Sequence, residues 1–336
     1  MNAIGTSGPV DVLYLSSTGT GWGPVDELAR LVSRLLGAKL TTVIDRGEVS
    51  TIRKCLALLP RLRSNRGTLI VIASSPAQLA YAANLRHWIP GYERTAAWVI
   101  DSFWTDRVSR FARYRGHLDD IFVTDRELVQ EWGELTGSRT HWLPWGSDTL
   151  AFERDFRKDR PVDLLRLGRQ PPAWDNDDVL RSDAVQRGLV AAGRPPFAAT
   201  TKDNQRNVRI ALRGAKFVLA FHNLVSPAPY THPFRSYLTG RWMDALSAGA
   251  TVAGSAPDAA RFTLWEGATV EIDAFDRVSG LRTLQAHVRQ WTPEQAVRQQ
   301  ELARRRLDWR HRIIELVDLL GLMPSDQIRI ELEALK

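Results

Sequence analysis

The stretch RSYLTGRWMDALSAGATVAGSAP, Arg235 to Pro257, carries three side chains able to hold an anion or a sugar hydroxyl. Arg235 and Arg241 bracket the start of an expected helix. Asp244 follows Arg241 by three residues, so both can lie on one helical face. A guanidinium fork can bond two oxygens of a phosphate, and free amides at a helix start favour the same charge. A carboxylate is the natural acceptor for two ribose hydroxyls. The helix then stops at Gly249 and an apolar run follows. A surface ion pair with a glycine helix stop would explain the same spacing equally well.

Three further loops place chemistry just after an expected strand. In SSTGTGWGP, Ser16 to Pro24, glycines at 19, 21 and 23 precede a helix, so backbone could approach a ligand closely. The spacing matches neither the dinucleotide fingerprint nor the P-loop. Gly21 and Trp22 are the candidates here, the indole as a ligand wall, against an ordinary tight turn. In VIDSFWTD, Val99 to Asp106, Asp101 ends a buried run and could take or orient a hydroxyl proton. The alternative is a helix cap, for which Ser102 or Thr105 is better suited. In LRLGRQPPAWDNDD, Leu165 to Asp178, Gly168 and Arg169 follow a strand directly, which suits a diphosphate. The acids of DNDD read as helix N-terminal residues rather than a metal site.

The elements that must position these residues alternate. In the first half, short runs beginning at Val12, Leu40, Leu69, Ala96, Ile121 and His141 read as strands buried on both faces. Helical patterns lie between them, the clearest being VDELARLVSRLL after Pro24. A polar stretch, Glu153 to Pro161, reads as a linker. Strands resume at 162–168, 196–200, 216–221, 250–254 and 269–273, with helices over 175–191, 204–213 and 238–248. The pattern predicts two α/β domains with parallel sheets: 1–150, 151–310, and a helical tail over 311–336 that packs back on the first domain. Open parallel sheets bind ligands beyond the carboxyl ends of their strands, so two Rossmann-like domains facing a central cleft would aim all four loops into one crevice.

The chain has 336 residues, 44% of them hydrophobic and 25% charged, which suits two ordinary globular cores. No apolar run reaches the ~18 residues of a membrane span, and the first residues lack the pattern of a secretory signal. One cysteine, Cys55, excludes a disulfide framework and a cysteine-based zinc site. The expected location is cytoplasmic, with peripheral placement on the inner membrane face. A net charge of +7 favours anionic partners, but the arginines are dispersed and no nucleic-acid motif is present. One dense run, ARRRLDWRHR from Ala303 to Arg312, reads either as a solvated helix face or as a membrane-surface contact. The 12 tryptophans suit sugar stacking, although core packing is the commoner fate of such residues.

The segment TGRWMDALSAGATVAGSAP resembles the nucleotide-sugar half of group 1 glycosyltransferases, with their "E-A-L-A-x-G-x-x-V" helix-turn-strand; Asp244 occupies the glutamate position. The His-Arg pair of LDWRHRIIELVDLLGL, Leu307 to Leu322, is similar to the CgeB-like branch. L-P-W-G-S-D, Leu143 to Asp148, is similar to the family's "P-N-G-V-D". The specific match covers roughly Lys216 to Leu322. The resemblance implies a GT-B fold, acceptor on the first domain and nucleotide-sugar on the second. It also implies metal-independent transfer from a nucleoside diphosphate sugar, with no cofactor, to a glycan, lipid-linked or small-molecule acceptor, as in polysaccharide biosynthesis. On this reading Asp101, Arg169 and Arg241 are catalytic. Gly21, Trp22, Gly168, Arg169, Arg235, Arg241, Asp244 and Gly249 bind the nucleotide-sugar, with Lys202 and Arg206 as helpers. Ser236 stands where the family's first acid would be. A nucleotide-sugar 2-epimerase and a non-catalytic binding module are the alternatives.

Overall fold

A computed structural model describes residues 8–17, 20–44, 49–85, 91–154 and 159–336. The chain forms two compact units. The first is Met1–Pro144 with Arg310–Ala334, and the second is Trp145–Trp309 with Leu335–Lys336. Gly19, which belongs to the first glycine loop, lies outside the described residues.

In the first unit strands and helices alternate: β1 (Val10–Ser16), α1 (Gly23–Leu36), β2 (Lys39–Ile44), α2 (Thr51–Leu56), β3 (Thr68–Ala73), α3 (Pro76–Ala83), β4 (Arg94–Val99), α4 (Ser109–Ala112), β5 (Asp120–Val123), α5 (Val129–Thr136) and β6 (Arg139–Trp142). All the strand pairs are parallel, in the order β2-β1-β3-β4-β5-β6. β3, TLIVIA, is buried at every position because helices cover both faces of a central strand. β2 is not, contrary to its apolar pattern: as the edge strand it leaves every residue at least partly exposed. α1 carries Pro24 in its first turn and buries Leu28, Val32 and Leu35 on one face.

The second unit holds β7 (Val162–Arg166), α6 (Asp177–Val185), β8 (Ala191–Ala192), α7 (Thr201–Arg213), β9 (Ala215–Phe221), α8 (Gly240–Ser247), β10 (Thr251–Ser255), β11 (Thr269–Glu271), α9 (Arg277–Gln290) and α10 (Pro293–Arg306). Its parallel sheet has the order β11-β10-β9-β7-β8. Trp174, Leu180, Phe217, Leu219, Phe221, Leu281 and Leu284 form much of its core, and the Trp174 indole N–H is satisfied by the Asp273 carbonyl at 2.9 Å. One expected strand is misplaced. The edge strand is Ala191–Ala192, not 196–200, because α6 ends at Val185 and the adjacent Pro195 and Pro196 cannot donate to a ladder.

Two last helices, α11 (Trp309–Leu319) and α12 (Asp326–Glu333), complete the chain. Arg94 at the start of β4 donates to the carbonyls of Leu319 and Leu320. Glu331 of α12 accepts from Arg34 of α1 and from Arg310 at 2.7 Å, and these cations hold its carboxyl near 2 against burial. The basic run is therefore no continuous charged face. Arg304 and Arg310 are buried, Leu307, Asp308 and Trp309 are core residues, and only Arg305 and Arg306 are exposed.

Both sheets wind outward in two directions from their first strand. The reversal falls between β1 and β3 in the first sheet and between β7 and β9 in the second. At such a point the loops leaving neighbouring strands diverge to opposite faces and leave a crevice at the carboxyl edge. The candidate residues are best judged by their distance from these two points.

Candidate functional site

In the second unit the switch point is built by one arginine. β7 ends at Arg166, and Gly168 follows with φ +72, a left-handed conformation that strains any other residue. A Cβ there would lie 2.9 Å from Cδ of Arg241, so the Arg241 side chain passes directly over this glycine. Arg241 stands in the first turn of α8. Its Nη1 donates to the carbonyls of Leu167 (3.1 Å) and Arg169 (2.8 Å), and its Nη2 to that of Phe221 (3.3 Å). One guanidinium thus ties the carboxyl end of β7 to that of β9.

Arg169 is fixed from the other side. Its Nε donates to the backbone carbonyl of Ser226 and to the Ser226 hydroxyl (3.1 Å), and its guanidinium lies 5.3 Å from the centre of the Tyr230 ring. The two cations feel one another. Burial first, and the Arg169 charge second, push the Arg241 guanidinium down to about 10. Among the described residues no carboxylate pairs with either. Arg241 is desolvated and Arg169 half-buried beside it, and among the described residues neither has a carboxylate counter-charge.

The loop between β9 and α8 completes this region. Asn223 is buried, and its Nδ2 holds the carbonyls of His232 (2.7 Å) and Arg235 (2.9 Å). The His232 ring Nδ1 accepts from the backbone N–H of Phe234 and Arg235. Arg235 therefore sits in an irregular loop held by its backbone, five residues before α8. His222, the first residue after β9, accepts the Leu224 N–H on Nδ1. Burial lowers its pKa despite the opposing charge of Asp258. Ser226, Tyr230 and His222 escaped the sequence reading because it began at Arg235. The signal was present in FHNLVSPAPY, a proline-rich, aromatic run directly after an apolar strand.

Asp244 and Gly249 are placed otherwise than their spacing implied. Arg241 and Asp244 form no ion pair, because Arg241 is turned to the strand carbonyls; Asp244 instead accepts the Ser147 hydroxyl at 2.6 Å. Ser147 belongs to L-P-W-G-S-D and is itself pinned, its N–H to the Leu307 carbonyl and its carbonyl to the Trp309 N–H. Gly249 lies at the far end of α8, on the amino edge of the sheet. There its φ is +85, and a Cβ would meet Arg160 Nη2 at 2.6 Å and the Ala296 carbonyl at 2.8 Å. Arg160 ties that edge together through the carbonyls of Ala215 and Ala248. Gly249 is thus a helix stop under close packing, apart from the switch point. The acids of DNDD follow the expectation: Asn176 caps α6, Asp177 lies in its first turn, and Asp175 and Asp177 both pair with Arg166. Lys202 and Arg206 are exposed on α7.

In the first unit the switch point carries a hydroxyl cluster. Ser17 Oγ and Ser74 Oγ are 3.0 Å apart, and Gln78 bridges them, accepting from Ser74 at 2.7 Å and donating to Ser17 at 3.1 Å. Asp101 follows β4, and its backbone N–H donates to the Ser74 carbonyl at 2.8 Å. Its half-buried carboxylate has no hydrogen-bond partner among the described residues. Burial raises its pKa to about 7, and the Arg107 charge lowers it only in part. Arg107 is parked over the Trp104 ring, 3.4 Å from its centre. Neither capping alternative forms: Ser102 Oγ bonds Thr124, and the turn at Thr105 has no side-chain cap. Gly21 is exposed in open space and Trp22 half-buried, in the single turn that leads into α1. Among the described residues no group of acids, histidines and cysteines has the arrangement of a metal site.

No protein-family profile matches the chain, and no curated protein does. Solved structures do. Anabaena HepE in complex with UDP is similar with a TM-score of 0.58 at 9% identity, over 93% of this chain and 99% of that one. HepE in complex with UDP-glucose gives 0.56 at 9% identity, over 93% and 99%. AviGT4, a glycosyltransferase involved in avilamycin A biosynthesis, gives 0.51 at 13% identity, over 93% and 97%. At such identities the likeness speaks for architecture: two Rossmann-like domains of the GT-B fold.

Proposed function

We propose that this protein is a glycosyltransferase whose donor is a nucleoside diphosphate sugar, held at the carboxyl edge of the second sheet. The observation that carries the reading is a pair at a topological switch point: Arg241, a desolvated cation, and Arg169, half-buried beside it, neither paired with a carboxylate among the described residues. A diphosphate supplies the missing charge, and guanidinium groups already fixed by carbonyls pay little reorganisation when it arrives. The HepE complexes hold UDP and UDP-glucose, which favours uridine in the donor. Tyr230, exposed beside Arg169, is suited to stack on a base or sugar ring. Asp244, which accepts the Ser147 hydroxyl, is the carboxylate suited to receive ribose hydroxyls in this reading.

In this reading the bond between the anomeric carbon and the β-phosphate oxygen breaks, and an acceptor hydroxyl forms the new bond. The departing diphosphate gains a negative charge, which Arg169 and Arg241 stabilise as it develops; no metal is required for that step. Asp101 takes or orients the acceptor proton, for which a carboxyl near neutrality is well matched. The acceptor is a glycan, a lipid-linked or a small-molecule hydroxyl, and the His311-Arg312 pair supports placement in the CgeB-like branch. Thermal shift with UDP, GDP, TDP and CMP tests the binding half. Stabilisation by UDP with release of sugar from UDP-glucose or a related donor supports transfer; binding without any turnover supports a binding module, and no binding removes the reading.

A further inference from the structure

The segment between β2 and β3 presents apolar side chains to solvent where a soluble surface would hide them. Ile52 is 73% exposed, Leu58 and Leu59 57% each, and Leu62 64%. Behind them lies a cavity of about 360 Å³, walled by Leu56, Leu59, Leu62, Ala83 and Leu85. Isolated exposed leucines need no explanation, but a contiguous run beside an apolar cavity marks a contact surface.

The charge on this run says what it contacts. From Ser50 to Arg66 there are five cations, Arg53, Lys54, Arg61, Arg63 and Arg66, and no acid. Asp119 neutralises part of Arg61 and Arg63. Arg53 and Lys54 have no acidic partner among the described residues, and Arg66 only lies over the Tyr92 ring. Apolar tips ringed by free cations fit an anionic bilayer, where leucines enter the acyl boundary and cations meet headgroup phosphates. A second copy fits poorly, since a two-fold contact sets the same cations against one another.

We propose that residues 51–66 form a membrane-docking surface for anionic lipid, with the exposed leucines as its inserted part. The basic run Ala303–Arg312, which suggested such a contact in the sequence, is less suited as the anchor because Arg304 and Arg310 are buried and no exposed apolar side chains accompany Arg305 and Arg306. The proposal is independent of the nucleotide site. Flotation with vesicles of phosphatidylcholine, alone and with about one-third phosphatidylglycerol, tests it. The full chain should bind the anionic vesicles, release in high salt, and ignore the neutral ones. The double variant Leu58→Glu/Leu59→Glu should lose about tenfold or more in vesicle affinity. Val185→Glu, an apolar site in the other unit that is more exposed still, should lose nothing. UDP affinity measured on the same variants should stay constant, so failure here and failure of the donor reading are separately visible. Wild-type protein that ignores anionic vesicles would overturn the proposal, as would a leucine pair variant that binds like wild type. So would self-association abolished by the glutamates, which would give the surface to a second copy.

Discussion

Asp101→Asn should stabilise the protein and disable it together, with the stabilisation confined to higher pH. Burial raises the folded carboxyl to about 7 from an ordinary 3.8. Between those values the folded chain holds its proton more tightly than the unfolded chain does. Stability therefore falls as pH rises from about 4 to about 7, then levels off. A rise of about three pH units, at about 1.4 kcal/mol each, corresponds to roughly 4 kcal/mol, or about 2 kcal/mol if solvent at the half-buried group screens half of it. Asparagine keeps the shape and removes the charge. The gap between variant and wild type, measured by urea unfolding at several pH values, should be near zero below about pH 4 and reach about 2–4 kcal/mol by pH 8. Wild-type transfer should rise with pH up to about 7, and the variant should show neither the rise nor the rate. A gap that does not change with pH would show that the carboxylate is not desolvated. Turnover equal to wild type would remove Asp101 from the chemistry.

Arg169→Ala should weaken UDP binding by about 1.5–3 kcal/mol, the worth of hydrogen bonds to a charged group, with little change in melting temperature; calorimetric titration checks it. Arg241→Ala should weaken binding and also cost about 2–3 kcal/mol of unfolding free energy, because the three hydrogen bonds that tie the ends of β7 and β9 together are lost; an unchanged urea midpoint would sink its role as a strut. Gly168→Ala should cost about 1–2 kcal/mol from its left-handed backbone and displace Arg241, so affinity falls with stability. Gly249→Ala should destabilise at least as much while the affinity of the remaining folded protein for UDP stays at the wild-type value; a parallel loss of affinity would contradict its place on the opposite edge.

The fold was legible because period and burial agree in a parallel sheet: TLIVIA and KFVLAF can hardly be anything but buried strands, and the glycines and prolines between them mark turns. The edges were less so. β8 is two residues long and has no apolar run to announce it, while PFAAT has strand-like residues behind two prolines that forbid the ladder. The site was legible only as far as strand ends could be counted. Gly168, Arg169 and Arg241 come together because each lies in the loop directly after β7 or at the start of the helix after β9. Direction was not legible. Spacing put Arg241 and Asp244 on one face, but the guanidinium is held by three carbonyls past the strand ends, while the half-buried Asp244 one turn away accepts from Ser147. Gly249 shares a motif with Arg241 yet lies a full helix length from it, since a motif of this length spans both edges of a sheet.

That competition explains why the arginines occupy these positions. A guanidinium left loose at the crevice would lose rotamer entropy on binding and would first have to shed its water. Arg241 has done both on folding, through carbonyls that hold it without neutralising its charge, and Arg169 has met the first cost through its hydrogen bonds to Ser226. What remains, after the burial that does most to lower the Arg241 pKa, is their mutual repulsion, which lowers it further and raises the energy of the unliganded fold. A dianionic ligand removes that repulsion in addition to making its own bonds. The same arrangement makes the unit's stability responsive to ligand. At a hundred times its dissociation constant a diphosphate should add about 2.7 kcal/mol to unfolding. A monophosphate should bind more weakly than a diphosphate of the same base, because it spans only one of the two cations. Equal affinity for UMP and UDP would mean that the pair does not act as a clamp, and the charge argument would fail even if the nucleotide still bound.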